Sequence, residues 1–224
     1  MGAKERTATF AAYKDLARRC EQRDPELMRH VSTSDTARDL DRLRQAVGDP
    51  QLTYLGISYG TILAATYANL FPDKVRAMVV DGNWDPQAWT NHGSGDDARL
   101  TSFIRLRSDW PLSPDRYRGP WNRPTAHPIL VIGNAYDPST PESAARAMAR
   151  ELADARLLTL NGYAHTALLN PSSCIQAHES RYLIDGVLPP PWTTCQEQDA
   201  PPFATPRPSG GIATGGGGLA GTTT

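Results

Sequence analysis

The chain has 224 residues, of which 39% are hydrophobic and 21% are charged, and its formal net charge is −1. This balanced charge excludes the basic surface expected of a protein that binds nucleic acid or an anionic membrane. No segment has the roughly 18–20 consecutive apolar residues of a membrane span, and the charged N-terminus lacks the apolar core of a signal peptide. The length allows one good-sized domain or two small ones.

Residues 1–48 are predicted to form N-terminal helices, because apolar residues recur there at roughly helical spacing. The second of these helices lies in "STSDTARDLDRLRQAVG". Its apolar residues Leu40, Leu43 and Val47 fall on one face, which is typical of an amphipathic helix.

Strand and helix patterns alternate over residues 49–195, which we predict to be the core. "LTYLGIS" predicts a short buried strand, "TILAATYANLFP" a helix and "VRAMVVDG" a second strand, an order that implies a parallel sheet. Two further strands are predicted in "HPILVIGNAYDPSTP" and "RLLTLNGYAHTAL". The predicted fold class is therefore α/β, with a mostly parallel sheet of about four strands flanked by helices. These strands lie near Leu52, Met78, Leu130 and Leu157.

Two segments interrupt or follow this alternation. Residues 83–128 lose all periodicity and mix Trp, Pro, Gly and charged residues, as expected of a long connection. Residues 196–224 are rich in Pro and then in Gly, and cannot bury enough apolar surface to fold. We predict that this tail is disordered.

The stretch Gly56-Ile57-Ser58-Tyr59-Gly60 matches the pattern G-x-S-x-G between a predicted strand and a predicted helix. Such a tight strand-to-helix turn leaves no room for Cβ atoms near the serine, and so it needs glycine on either side. The turn would lift the Ser58 hydroxyl clear of the sheet edge and expose the Tyr59 amide at the start of the helix. Because the pattern also arises by chance, the alternative is an ordinary serine in a glycine-rich bend.

A nucleophilic serine needs a base that is oriented by an acid. Asp137 follows one predicted strand and His165 follows the next. Both should therefore lie at the C-terminal edge of the parallel sheet together with Ser58, where ligands bind in such sheets. The sequence predicts Ser58, Asp137 and His165 as a catalytic triad.

Several alternatives remain open for these side chains. Asp137 could cap the helix that follows it, Asp85 is a rival acid past the previous strand, and His165 could be a surface loop histidine. Asp81 and Gly82 are expected to end their strand as a turn. The other histidines do not follow a strand and are expected to be structural or exposed: His30, His92, His127 and His178.

The sequence predicts no cofactor and no metal, because it contains no G-x-G-x-x-G, no P-loop and no metal-ligand spacing. Its cysteines are Cys20, Cys174 and Cys195, none with CxxC spacing. This odd number allows three reduced thiols or one disulfide with a free thiol.

"YLGISYGTILAATYANLFPDKVRAMVVDGNWDP" and "PILVIGNAYDPSTPESAARAMARELADARLLTLNGYAHTAL" resemble the tripeptidyl-aminopeptidase-like branch of the α/β-hydrolases, a branch related to the proline iminopeptidases. The resemblance covers roughly residues 30–87 and 110–195. It implies a reduced α/β-hydrolase core in which Ser58 is the nucleophile, Asp137 the acid and His165 the base.

The same resemblance implies a disulfide between Cys174 and Cys195, together with a secreted ancestry. Members of this branch are mostly secreted or bound to the cell envelope. The sequence itself carries no export signal, so its localisation stays open.

The sequence departs from that branch in two places. Members begin with several strands and an "HGGPG"-like loop, whose backbone amide completes the oxyanion hole, and no such segment precedes Ser58 here. Members also insert a large helical cap, whose carboxylates bind the free amino terminus of the substrate, where this sequence has only about 40 residues. These departures leave the Tyr59 amide as the assigned oxyanion donor and leave aminopeptidase selectivity unassigned.

The leading hypothesis is a serine hydrolase that acts on a small-molecule or peptide substrate, with an amide or ester bond cleaved by acyl transfer to water. The alternative is a catalytically impaired hydrolase-fold protein with a binding or assembly role. So small a sheet should also have an exposed edge, which the N-terminal helices or a second copy of the chain could cover.

Overall fold

The structure, a computed structural model, describes residues 2–90 and 116–197. The middle of the predicted connection, which includes His92, and most of the predicted tail lie outside the described residues. None of the helices that the structure describes combines the length and the apolar character needed to cross a bilayer.

Three helices precede the sheet: α1 (Ala3–Arg23), α2 (Pro25–Arg29) and α3 (Thr33–Ala46). Side chains cap two of them, because Asp24 accepts a backbone N–H of α2 and Ser32 accepts a backbone N–H of α3. Such caps satisfy amide groups that have no partner within the helix.

Five parallel strands form one sheet, in which their spatial order is their chain order. The strands are β1 (Leu52–Ile57), β2 (Val75–Asp81), β3 (Ile129–Asn134), β4 (Ala155–Asn161) and β5 (Thr194–Gln196). The α/β fold class and the four predicted strands are confirmed. The fifth strand was not predicted, and Gln196 belongs to it rather than to the tail.

Helices cover both faces of this sheet. On one face α3, α4 (Tyr59–Leu70) and α6 (Glu142–Glu151) pack on apolar strand residues, and on the other face lies α7 (Ser173–Asp185). The short helix α5 (Pro86–Thr90) follows β2. Single turns of 3₁₀ helix occur at Pro72–Lys74 and Ala167–Leu169.

Specific contacts fix α7 on its face of the sheet. The buried Tyr182 hydroxyl accepts the backbone N–H of Met78 at 3.1 Å. A disulfide joins Cys174 at the start of α7 to Cys195 in β5, while Cys20 is a free thiol. The disulfide thus attaches the short last strand to the helix beside it.

β1 forms one edge of the sheet, and no described strand pairs with its outer side. Leu55 in the middle of β1 remains 46% exposed. The described N-terminal helices therefore leave this part of the edge strand uncovered.

Candidate active site

Ser58 occupies the turn between β1 and α4 in a conformation that few residues adopt. Its φ is 54° and its ψ is −116°, and its N–H donates to the carbonyl oxygen of Asp81 at 2.9 Å. A positive φ is uncommon outside glycine, and such backbone strain clusters at functional sites. The turn is thus strained at the serine itself.

The glycines around Ser58 differ in how strictly the turn requires them. A Cβ atom on Gly56 would lie 2.5 Å from the carbonyl oxygen of Gly60, so no larger residue fits there. A Cβ atom on Gly60 would lie 3.3 Å from the hydroxyl of Tyr54, a contact that a small shift can relieve. Gly56 is therefore the position at which the turn strictly requires glycine.

The N-terminus of α4 presents an amide beside the serine. The N–H of Tyr59, the first residue of α4, has no acceptor within the described part of the chain. The Tyr59 side chain turns toward α3, where its hydroxyl lies 2.8 Å from that of Thr33. Its ring lies 6.0 Å from that of Trp89, which in turn lies 5.4 Å from that of Trp84. An aromatic surface therefore adjoins this turn.

Asp137 and His165 form a hydrogen-bonded pair. His165 Nδ1 lies 2.9 Å from Asp137 Oδ2 and 3.1 Å from Oδ1. The Asp137 carboxylate also accepts the backbone N–H groups of Ser139 and Thr140 and the hydroxyl of Thr140. Burial alone would raise the pKa of Asp137, but hydrogen bonds from Thr140, His165 and Ser139 hold it below its ordinary value. The carboxylate stays ionised beside the imidazole.

Asp137 does not cap the following helix. The N-cap of α6 is Pro141, and no side chain caps that end. Asp85 is also engaged elsewhere, since its carboxylate accepts the N–H of Ala88 at 2.7 Å. Burial and the neighbouring Asp85 raise the pKa of Glu151 to about 7. Asp137 is thus the acid that the structure brings to His165.

Ser58, Asp137 and His165 follow β1, β3 and β4, so all three lie at one edge of the parallel sheet. Gly82 follows Asp81, whose carbonyl oxygen accepts the N–H of Ser58, and it also lies next to His165. A Cβ atom on Gly82 would lie 3.0 Å from His165 Cε1. Within residues 2–90 and 116–197, no hydrogen bond joins the Ser58 hydroxyl to His165. Catalytic hydrogen bonds are often long before substrate binds.

Asp81 adjoins the candidate site, and the sequence did not indicate this position. It ends β2, is only 4% exposed, and accepts the N–H of Ala167 at 2.7 Å through Oδ2. Its Oδ1 is buried and has no partner in the described part of the chain. Burial raises the pKa of Asp81 to about 7. The available signal was an acid at the end of a strand whose preceding residues, from Ala77 to Val80, are all apolar.

The remaining histidines among the described residues lie outside this site. His30 and His127 are exposed, and His178 is half-buried in α7. In the part of the chain that the structure describes, the side chains close enough together to share a metal are Cys174, His178 and Cys195. The two sulfurs are joined in a disulfide, whereas a metal binds thiolates, so this group does not fit a metal.

Two family models match the chain. A model described as an α/β hydrolase fold matches residues 14–103, and a model described as a TAP-like protein matches residues 96–195. Together they cover residues 14–195, from within α1 to within β5.

Individual relatives are similar over part of the chain. A tripeptidyl aminopeptidase of Streptomyces lividans is 40% identical over 105 residues, or 46% of this chain and 20% of that protein. The serine protease Hip1 of Mycobacterium bovis is 47% identical over 76 residues, or 34% of this chain and 15% of that protein. The chain thus spans a fifth or less of these relatives. A solved α/β hydrolase from a sediment metagenome is 20% identical with a TM-score of 0.47, covering 70% of this chain and 72% of that one.

Proposed function

The chain belongs to the α/β-hydrolases, in their branch of TAP-like proteins, and from this membership we propose that it is a serine hydrolase. The observation that carries the proposal is the strained backbone of Ser58, at φ 54°, on the sheet edge that also bears the hydrogen-bonded Asp137 and His165. A serine on such a turn, with a base and an acid at the same edge, suits nucleophilic catalysis.

In the proposed reaction His165 takes the proton of the Ser58 hydroxyl as the serine oxygen bonds to the substrate's carbonyl carbon. Because Nδ1 of His165 is bound to Asp137, Nε2 is the nitrogen available for this proton. The low pKa of Asp137 keeps a negative charge beside the imidazolium. The tetrahedral oxyanion accepts the N–H of Tyr59.

The intermediate collapses when the bond to the leaving amine or alcohol breaks and His165 returns its proton to that group. The acyl group then remains on Ser58. A water molecule loses a proton to His165, attacks the acyl carbon and releases the acid, after which His165 restores the proton to Ser58.

We propose peptides and arylamides as the first substrate class, with esters as the second. The relatives support the first class, since they bear the names tripeptidyl aminopeptidase and serine protease. The aromatic side chains of Tyr59, Trp84 and Trp89 supply an apolar surface next to the turn, which suits a substrate with an apolar acyl group.

A fluorophosphonate probe tests this proposal, because it reacts covalently with an activated serine. The purified protein should be labelled, and Ser58→Ala and His165→Ala should not. Ser173→Ala, which removes an exposed serine on α7, should be labelled like the wild type. Hydrolysis of aminoacyl arylamides and p-nitrophenyl esters by the same variants would then rank the two substrate classes.

A binding or assembly role is the second candidate function. Two observations favour it: the absence of a hydrogen bond between Ser58 and His165 in the described residues, and Tyr59 as the one assigned oxyanion donor. Removal of one such donor slows serine hydrolases by about 10²–10³. A folded wild-type protein that the probe does not label would overturn the hydrolase proposal and favour this role.

A further inference from the structure

The loop that carries His165 contains a second strained residue, Thr166. Its φ is 72° and its ψ is 152°, a region that is essentially restricted to glycine. Threonine is β-branched, so a positive φ is a clear outlier for it. Thr166 is also only 2% exposed, which means that solvent does not relax the loop. Such a conformation persists only when the surrounding structure holds it.

Two buried carboxylates hold this loop from either side. Asp137 contacts His165 and accepts the N–H of Thr166 at 3.3 Å. Asp81 accepts the N–H of the next residue, Ala167, at 2.7 Å. The strained peptide of Thr166 therefore lies between two fixed acceptors.

Asp81 also bonds to the turn of the serine. Its carbonyl oxygen accepts the N–H of Ser58 at 2.9 Å, while its carboxylate accepts the N–H of Ala167, 86 positions along the chain. Asp81 thus connects the turn of Ser58 to the loop that carries the histidine. It is 4% exposed, and within the described ranges no Lys, Arg or His forms an ion pair with it. Burying a carboxylate without a cation costs free energy, which suggests that Asp81 has a function at this position.

We propose that Asp81 is a positioning residue, which holds the strained Thr166 backbone and thereby keeps the His165 imidazole beside Ser58. This proposal rests on the serine-hydrolase function proposed above. Asp81 is buried and accepts the backbone N–H groups of Ser58 and Ala167, so it would act through the backbone of the loop.

The contact at Gly82 makes the position of the imidazole sensitive to this loop. A Cβ atom on Gly82 would lie 3.0 Å from His165 Cε1 and 2.7 Å from Thr166 Cγ2. If Asp81 no longer held Ala167, Thr166 would relax toward negative φ and the imidazole would move from Gly82. A displacement of about 1 Å in a catalytic group can cost about 100-fold in rate.

Asp81→Ala tests the proposal through the rate of fluorophosphonate labelling. We expect labelling to slow by about 10- to 100-fold. With a p-nitrophenyl ester we expect kcat to fall while KM stays unchanged, since the Asp81 side chain is buried away from solvent. Asp81→Asn keeps an oxygen that can accept the N–H of Ala167 and should retain most of the wild-type rate.

Asp41→Ala is the matched control, because Asp41 is a carboxylate of similar burial between α3 and α4. It should lower stability and leave the labelling rate at the wild-type level. A strain test complements it, since glycine adopts the backbone of Thr166 without cost. In a Thr166→Gly background, Asp81→Ala should slow labelling less than it does in the wild type.

A nuclear magnetic resonance measurement reports on the environment of the His165 imidazole and does not require the protein to react with a probe. The Nδ1–H proton of His165, which Asp137 binds, should give a downfield signal that His165→Ala removes and Asp81→Ala shifts or broadens. If the wild type is not labelled, the hydrolase function fails, and this signal still decides whether Asp81 holds His165. If the wild type is labelled and Asp81→Ala is labelled equally fast with an unchanged signal, the positioning proposal is overturned.

Discussion

The backbone of Gly82 lies against the imidazole of His165, and this contact requires a residue without a Cβ atom. The φ of Gly82 is 70°, and a Cβ atom there would meet Thr166 Cγ2 at 2.7 Å and His165 Cε1 at 3.0 Å. Both the backbone conformation and the space therefore favour glycine.

Gly82→Ala is expected to slow fluorophosphonate labelling and to lower the free energy of unfolding. The positive φ costs about 1–2 kcal/mol for a residue with a Cβ atom, and the steric contact adds about 1–3 kcal/mol. Gly186→Ala is a matched control, because Gly186 also has a φ of 70° but nothing lies within 4 Å of its Cβ position. Urea unfolding and labelling of both variants measure the difference. Equal losses of stability, with labelling unchanged, would contradict the contact.

The carboxyl group of Asp81 should make stability depend on pH. Burial raises its pKa from 3.8 to about 7, although the N–H groups of Ala167 and Leu168 oppose this, while Glu179 and Asp137 add to it. The folded state therefore binds this proton more tightly than the unfolded state. The resulting stability, on the order of 4 kcal/mol, is fully present below the unfolded pKa and is lost as the pH rises through about 7.

Asp81→Asn removes this titration. The free energy of unfolding of the wild type, relative to Asp81→Asn, should fall between about pH 4 and about pH 7 and stay level above that range. Urea unfolding of both proteins across this range measures the difference. A constant difference would show that Asp81 titrates at the same pH in the folded and unfolded states.

The sequence could predict that Ser58, Asp137 and His165 lie at one edge of the sheet, because each follows a parallel strand and the ends of parallel strands meet there. It could not reveal the role of Asp81 in the loop. The proposed role depends on a hydrogen bond from the backbone N–H of Ala167, 86 positions away. Every residue except proline has such an N–H group, so the residue types do not indicate this contact. The strain at Thr166 was equally hidden, since threonine does not signal a positive φ.

Helix α3 shows a similar limit, because its predicted apolar face packs on the core only in part, at Leu40. Leu43 is 64% exposed and Val47 is 72% exposed, whereas Asp41 and Arg44 are buried. Asp41 accepts a hydrogen bond from Arg44 at 2.8 Å and one from the Tyr67 hydroxyl at 2.9 Å. Asp41 can be buried because its carboxylate has hydrogen-bond partners, and one of these, Tyr67, lies on α4.

Asp41→Ala should destabilise the fold strongly, because it leaves the Arg44 guanidinium buried without its carboxylate. Asp39→Ala is the control on the same helix, since Asp39 pairs with Arg42 at the same spacing but in an exposed position. Exposed pairs contribute about 0.2–1 kcal/mol. In urea unfolding the loss for Asp41→Ala should exceed that for Asp39→Ala severalfold, and similar losses would contradict the burial argument.

The strands differ in how far the sequence could predict them. β1 to β4 were predicted because each contains an apolar run between turn residues. β5 has three residues, too few to show an alternating pattern, and it pairs with β4 at a position fixed in part by the disulfide between Cys174 and Cys195. Its formation therefore depends on contacts that a local pattern does not contain.

Across the chain, strand and helix order was enough to predict an α/β fold with a parallel sheet, because parallel strands need crossover connections. It also predicted that the sheet has an exposed edge, but it did not predict β5. The short β5 forms one edge and β1 forms the other, where no described strand pairs with its outer side and Leu55 remains 46% exposed. An unpaired edge strand offers backbone N–H and C=O groups to another chain.

We expect the β1 edge to pair with the β1 edge of a second copy. The formal net charge of −1 gives little repulsion between copies, and Leu55 adds apolar surface to the contact. Analytical ultracentrifugation should show concentration-dependent dimers, and Leu55→Lys should shift the protein to monomers because edge lysines oppose pairing. Trp192→Lys, which replaces an exposed aromatic residue next to β5, should leave the dimer intact. A wild-type protein that is monomeric at every concentration, or a Leu55→Lys variant that still dimerises, would show that this edge does not join two copies.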